Sequence, residues 1–373
     1  MIDATGPIAR RFPLVARSRP ACLPLDQRVT ELGERAREVE KTGDPTAACA
    51  VHNLAALLAS DVGMPDLARQ WCKAQVEAHL HVLPGSVQDV CNALEPLTNL
   101  ARLHIRAGDG QSAFHLMDSL YTAVSDRTDT VIDGIPIPGA RLTATDEEHR
   151  EIRRWLWATM LATSARALAQ TGRWEHAAEQ LRLHRGIGER MFDGRQVAVL
   201  AAATTGDMNG ALQLLEQTAT GEPWEYAVTS ALTLAVLAAQ DQPVAQALST
   251  ALAARRALAP RRGLTVFDIR LGLTILDSTR EQSDTAEQLM AELAQQALAV
   301  PDGYAARDLL ADHAHLIEPA TRDQLTDIVT SCALARGSLS HQQRLDLDGA
   351  LDRTRALLVR APAAPQHPEQ VRP

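Results

Sequence analysis

The chain has 373 residues, 46% hydrophobic and 22% charged, the balance of a folded protein, but only 3% aromatic. A core built from Leu, Ala and Val suits closely packed helices and excludes a β-sandwich, which needs β-branched and aromatic residues. The net charge of −9 argues against nucleic acid as a partner, because phosphate binding needs a clustered basic surface.

In chain order, residues 1–24 hold arginines and prolines but no continuous apolar stretch, so they are expected to form a flexible tail and no signal peptide. Helical patterning then runs over 25–126. Turns within it carry a glycine followed five residues later by alanine: Gly43 and Ala48, Gly63 and Ala68, Gly108 and Ala113. Gly43 and Gly63 are too close to be equivalent and must mark successive turns. In SDRTDTVIDGIPIPGARLTATDEEHRE helix propensity collapses. The β-branched residues around Asp133-Gly134 signal a short hairpin. Pro136 and Pro138 bar a central strand. An inserted loop or hairpin over 127–144 is therefore expected to project from the helices, as a binding loop, a lid or a tolerated insertion. Thr145 and Glu148 form a capping box for the next helix.

Helical signals resume over 145–359. TGRWEHAAEQL carries the turn again at Gly172 and Ala177, Gly206 and Ala211 lie 34 residues on, and another 34 bring Gln240 and Ala245. Position seven before each turn holds Ala36, Ala56, Ala101, Ala165, Val199 and Thr233. Glycine permits the left-handed conformation that ends a helix. Asp44, Asp109 and Asp207 can cap the helix that follows. The small residues sit where helix axes cross. This pattern resembles the tetratricopeptide repeat, a helix–turn–helix unit of about 34 residues, and the chain broadly resembles helical-repeat proteins of actinomycetes. The family's proline near the end of its second helix is matched by Pro223. The family's aromatic positions are mostly aliphatic here, and the spacings from Gly63 to Gly172 exceed one unit. The fold expected is an all-α, tetratricopeptide-like superhelix, with the repeat traceable over 25–260. Its charged last helix, 340–359, is expected to cap the array. Residues 360–373 form a proline-rich tail.

Lys41 and Lys73 are the only lysines, an arginine bias like that of a high-GC bacterium. The five cysteines form no CxxC and are expected to be free thiols of a cytoplasmic protein. No run approaches the ~18–20 apolar residues of a membrane span.

No motif of a hydrolase, metalloprotease, nucleotide-binding or terpene-synthase site is present. His79 and His81, like His313 and His315, are two apart and point to opposite sides of a helix. Neither a metal nor a cofactor is expected. Polar residues inside apolar helices are the better candidates. His52 and Asn53 interrupt AVHNLAALLAS, and Asn99, Arg102 and Arg106 are spaced to touch. Arg153 and Trp157 head the helix after the insert. Arg185 and Arg195 belong to a glycine-rich charged loop that could clamp a carboxylate or phosphate. In tetratricopeptide proteins, helices of this kind line a groove where Asn and Arg bind peptide backbones or a terminal carboxylate. The resemblance thus implies a scaffold binding a peptide or protein partner. Two other readings stand beside it. One is an all-α enzyme, or accessory protein of natural-product biosynthesis, with the insert as lid over His52, Arg102, Trp157 and Arg185. The other is a ligand-sensing regulator acting by protein contact. Self-association into a homodimer is compatible with each; nucleic acid and membrane are not expected as partners.

Overall fold

The computed structural model describes residues 1–259, 261–279 and 284–359. Residues 360–373, the proline-rich tail of the sequence reading, lie outside the described residues. After a short α1 (Pro7–Arg11) and α2 (Leu25–Thr42), whose partner comes from the end of the chain, the helices come in antiparallel pairs. They are α3 (Pro45–Asp61) with α4 (Pro65–Leu80), and α5 (Val87–Arg106) with α6 (Gly110–Asp126). Next come α7 (Asp146–Ala169) with α8 (Trp174–Leu183), and α9 (Asp193–Thr205) with α10 (Met208–Glu216). Then α11 (Pro223–Ala238) packs with α12 (Ala245–Arg256), α13 (Thr265–Asp277) with α14 (Asp284–Ala299), and α15 (Gly303–His313) with α16 (Pro319–Ser331). The last helix is α17 (His341–Leu358). The fold is thus an all-α superhelix. Among the described residues, no helix is long and apolar enough to cross a membrane.

The local signals act as their chemistry dictates. Gly43, Gly63, Gly108, Gly172 and Gly206 all hold positive φ. Asp44, Asp109 and Asp207 each accept from amides of the next helix. Ala48, Ala68, Ala113, Ala177 and Ala211 are fully buried at the helix crossings. Packing at the α6–α7 crossing is so tight that a β-carbon on Gly110 would run into the carbonyl of Ala167. The sixth tooth fails. The left-handed residue there is Asp241, not Gln240, and Ala245 is exposed at the start of α12. The connection here spans residues 239–244, six against the two between α9 and α10, and the alanine lies off the crossing. Pro223 likewise opens α11 at its first turn and does not end α10, because proline fits where the amide has no helical partner.

The first helices of successive pairs touch one another, α3 on α5, α5 on α7, α7 on α9, then α11 on α13 and α13 on α15. They form an inner layer. The array does not end in a free cap at 340–359. α17 packs along both α2 and α3, burying Leu347, Leu351, Thr354 and Leu358. The segment before it hydrogen-bonds back to the α3–α4 turn, Ala335 N–H to the Asp61 carbonyl (2.8 Å) and Gly337 N–H to that of Val62 (2.6 Å). The last helix and the first long one thus complete a pair, and the superhelix closes on itself.

The insert does form a hairpin, β1 (Thr130–Ile132) and β2 (Ile135–Ile137), with Thr130 opposite Ile137 and a left-handed turn at Asp133-Gly134. It does not project. Ile132, Ile135, Ile137 and Leu142 are buried. Asp133 is held by Arg69 (2.7 Å), and its carbonyl by Lys73 (2.6 Å). Four apolar side chains, each worth about 1.5–3 kcal/mol on burial, lay it against the scaffold.

Residues 1–24 are not a loose tail. Ile2, Ala9, Phe12, Leu14 and Cys22 are buried, and the segment runs along the inner helices as a strap.

Candidate functional site

The strap has low helix propensity, so its backbone groups need partners from elsewhere once it is buried. Side chains of α7, α8 and α9 provide them. Gln196, fully buried on α9, accepts from Leu14 N–H (2.6 Å) and donates to Leu14 C=O (2.9 Å) through its two ends. Arg166 of α7 donates to Pro13 C=O (2.8 Å), and the indole N–H of Trp174 to Ala4 C=O (2.9 Å). Ion pairs fix the flanks. Arg10 meets Asp312 (3.2 Å), Arg11 meets Asp277 in a closer contact, and Arg17 meets Asp193. Burial pulls the Arg166 guanidinium down to about 10. Its donation to a peptide carbonyl satisfies a charge that forms no direct ion pair among the described residues.

Beside the strap the inner surface stays open. A cavity of about 560 Å³ lies between Ser18–Leu23 of the strap and helices α2 and α3. A second, of about 220 Å³, adjoins it through Pro20, Leu54 and Leu57. Four predicted residues converge in the second. Glu95 accepts from Asn53 (3.0 Å), Asn53 from Asn99 (2.9 Å), and Asn99 from Arg102 (2.8 Å). Arg106 donates to Ser60 (2.7 Å) and Asp61 (2.8 Å). Arg102 is exposed at the cavity wall, and desolvation by the residues around it holds its guanidinium below the ordinary value.

The remaining predicted residues lie elsewhere. His52 points away from the cavity, with Nε2 3.2 Å from the Thr354 hydroxyl beneath α17. Arg153 is exposed on α7. Trp157 donates to the His184 carbonyl (2.9 Å), bracing α8. Arg185 is exposed, at a left-handed position of the loop after α8. Arg195 is buried and donates to the Leu214 carbonyl (2.7 Å), tying α9 to α10. The charged loop is held by Arg190 gripping the buried Glu225, whose carboxyl this hydrogen bond holds below its usual range. Of the four residues suggested under a lid, only Arg102 lines the cavity.

Burial gives His52 a testable signature. Desolvation pulls its pKa from an ordinary value of 6.5 down to about 4. Between those values the unfolded chain binds a proton that the folded chain refuses, so stability falls as pH falls through that window. The contribution is about 3 kcal/mol. His52→Gln is expected to flatten the pH dependence of denaturant midpoints between pH 6.5 and 4. Parallel losses in wild type and variant would remove His52 from this account.

The strap-gripping residues Gln196, Arg166 and Trp174 were not among the predicted ones. A signal for two of them existed. Gln196 stands ten residues before Gly206, as Asn53 does before Gly63. Arg166 stands six before Gly172, as Arg102 does before Gly108. Among the described residues, no group of three or more His, Cys, Asp or Glu is placed to hold a metal. No family model, no curated protein and no solved structure matches this chain.

Proposed function

We propose that this chain is a binding scaffold that holds an extended peptide segment of a partner protein along its inner helices, chiefly through the partner's main chain. The observation that carries this is the two-ended pairing of Gln196 with both backbone groups of Leu14. It is a sequence-tolerant grip of the kind a peptide receptor needs. The open part of the inner surface carries the same residue types at matching repeat positions, Asn53 for Gln196 and Arg102 for Arg166. A partner segment there would exchange the Asn53–Asn99–Arg102 contacts for its own carbonyls and amides. The same reading takes the array as a degenerate relative of the tetratricopeptide repeat. In support, five left-handed glycines are each followed by a buried alanine five residues on.

Peptides selected from a random displayed library on the full chain test this. Selected peptides are expected to protect α3 and α5 from hydrogen exchange. They should bind an Asn99→Ala, Arg102→Ala double variant about tenfold or more weakly, since hydrogen bonds to charged groups are worth about 1.5–3 kcal/mol. The variant's melting temperature should stay near wild type. Selected peptides that bind both proteins equally, or a library that yields none, would overturn the reading.

A further inference from the structure

The strap ends beside a second feature that the peptide-binding reading does not use. Cys22 lies at the end of the strap and Cys332 directly after α16, 310 residues apart in sequence. The Cys332 thiol donates to the Cys22 carbonyl (2.9 Å), which also accepts from Gly303 N–H (2.8 Å). A β-carbon on Gly303 would stand 2.7 Å from the Cys332 sulfur and 3.2 Å from the Cys22 sulfur. Both sulfurs therefore face one point, and it is free only because residue 303 has no side chain. A guanidinium nitrogen of Arg28 lies 3.5 Å from the Cys22 sulfur, a positive charge that favours the thiolate at either cysteine, Cys332 included.

We propose that Cys22 and Cys332 form an oxidisable dithiol whose disulfide staples the strap to the end of α16. The oxidant is a hydroperoxide. With hydrogen peroxide, the Cys332 thiol gives up its proton, its thiolate attacks one peroxide oxygen and the O–O bond breaks; a sulfenic acid forms, and the departing hydroxide takes up that proton as water. The Cys22 thiol gives up its proton as its sulfur attacks the sulfenic sulfur. The S–S bond forms and a second water leaves, so two thiols are oxidised as one hydrogen peroxide is reduced to two waters.

The site selects these two among five. The neighbouring Cys22 side chain holds the Cys332 thiol below its ordinary pKa, while the same proximity and burial push Cys22 up and leave it the proton donor. Burial pushes Cys49 and Cys72 up to about 12 and Cys91 up to about 11, which disfavours the thiolate at all three. The bond would cross-link the strap to the closing end of the array, so oxidation would hold the strap in its seat.

The test treats the reduced full chain with hydrogen peroxide, then denatures it and alkylates free thiols. Alkylation of Cys49, Cys72 and Cys91 alone is expected, with a tryptic peptide linking Cys22 to Cys332. The thermal midpoint should rise on the order of 5 °C, reversed by dithiothreitol, as for a cross-link closing a very long loop. Gly303→Ala, which wedges a methyl between the sulfurs, should slow bond formation about tenfold or more while the reduced protein keeps its helical circular dichroism. Cys22→Ser should leave Cys332 unlinked. Should Cys22→Ser not fold, the wild-type thiol map and the Gly303→Ala rate still decide. The proposal is overturned if Cys22 and Cys332 stay alkylatable once Cys91 is oxidised, or if either pairs with another cysteine.

Discussion

Asp61→Ala is expected to lower the unfolding free energy by about 3–5 kcal/mol, the cost of leaving a buried cation without its partner. The Asp61 side chain is 1% exposed and takes contacts from three parts of the chain, and the residue's carbonyl takes a fourth. Arg28 of α2 donates at 2.6 Å and Arg106 of α5 at 2.8 Å, the Tyr304 hydroxyl of α15 makes a still closer contact, and the Asp61 carbonyl takes the Ala335 amide. These groups sit where the superhelix closes. Burial pushes the Tyr304 phenol up and Asp61 adds to it, so the hydroxyl stays a donor. Arg28 loses to burial but is held above its ordinary value chiefly by Asp61. Without the carboxylate, Tyr304 loses its acceptor and Arg28 keeps only the Cys22 sulfur. Denaturant titration measures the loss, and hydrogen exchange of α2 and α17 should rise together, because each is the other's packing partner. Asp61→Asn keeps an acceptor and should cost less. A loss below about 1 kcal/mol for Asp61→Ala would show that apolar packing of α17 alone closes the array.

Gln196→Ala is expected to release the strap while leaving the ring closed. The substitution strips partners from the Leu14 N–H, the Leu14 carbonyl and the Met191 carbonyl in a site without exposed surface. Each orphaned buried group costs about 1–3 kcal/mol, so local opening of residues 8–16 should become at least about a hundredfold more frequent. The ion pairs of Arg10 and Arg17 are partly solvated and cannot compensate, since each of those arginines is 55% exposed. Hydrogen exchange at Leu14 is the readout. A labelled synthetic peptide of residues 1–20 should then bind the full-length variant in trans and bind wild type far more weakly. Equal exchange at Leu14 in the two proteins would show that the apolar contacts of Phe12 and Leu14 hold the strap by themselves.

Much of the scaffold could be read from residues near one another in the chain. A glycine that ends a helix, an aspartate that caps the next and an alanine at their crossing act over five residues. Their outcome depends on backbone conformation and size alone. The hairpin turn at Asp133-Gly134 and the capping box of Thr145 are of the same kind. The candidate site was half legible. Asn53, Asn99, Arg102 and Arg106 do converge, because spacings of three and four fix neighbours on one helix face and repeat positions align adjacent helices.

What the tertiary structure alone decided is where the ends go and which way each polar side chain turns. Arg195 was expected in the site, but its neighbour Gln196 grips the strap; one residue rotates a side chain by about 100° around a helix. His52 was lost to the site in the same way, because the closing helix α17 arrives 302 residues later to cover it. The first 24 residues read as loose because, beyond the short α1, little within them satisfies their backbone, and the partners that fix the rest, such as Gln196, lie some 180 residues away. Local sequence therefore determined the helices and their turns. Closure and the strap were decided by contacts between distant residues, since a buried backbone group takes its partner from wherever the folded chain brings one.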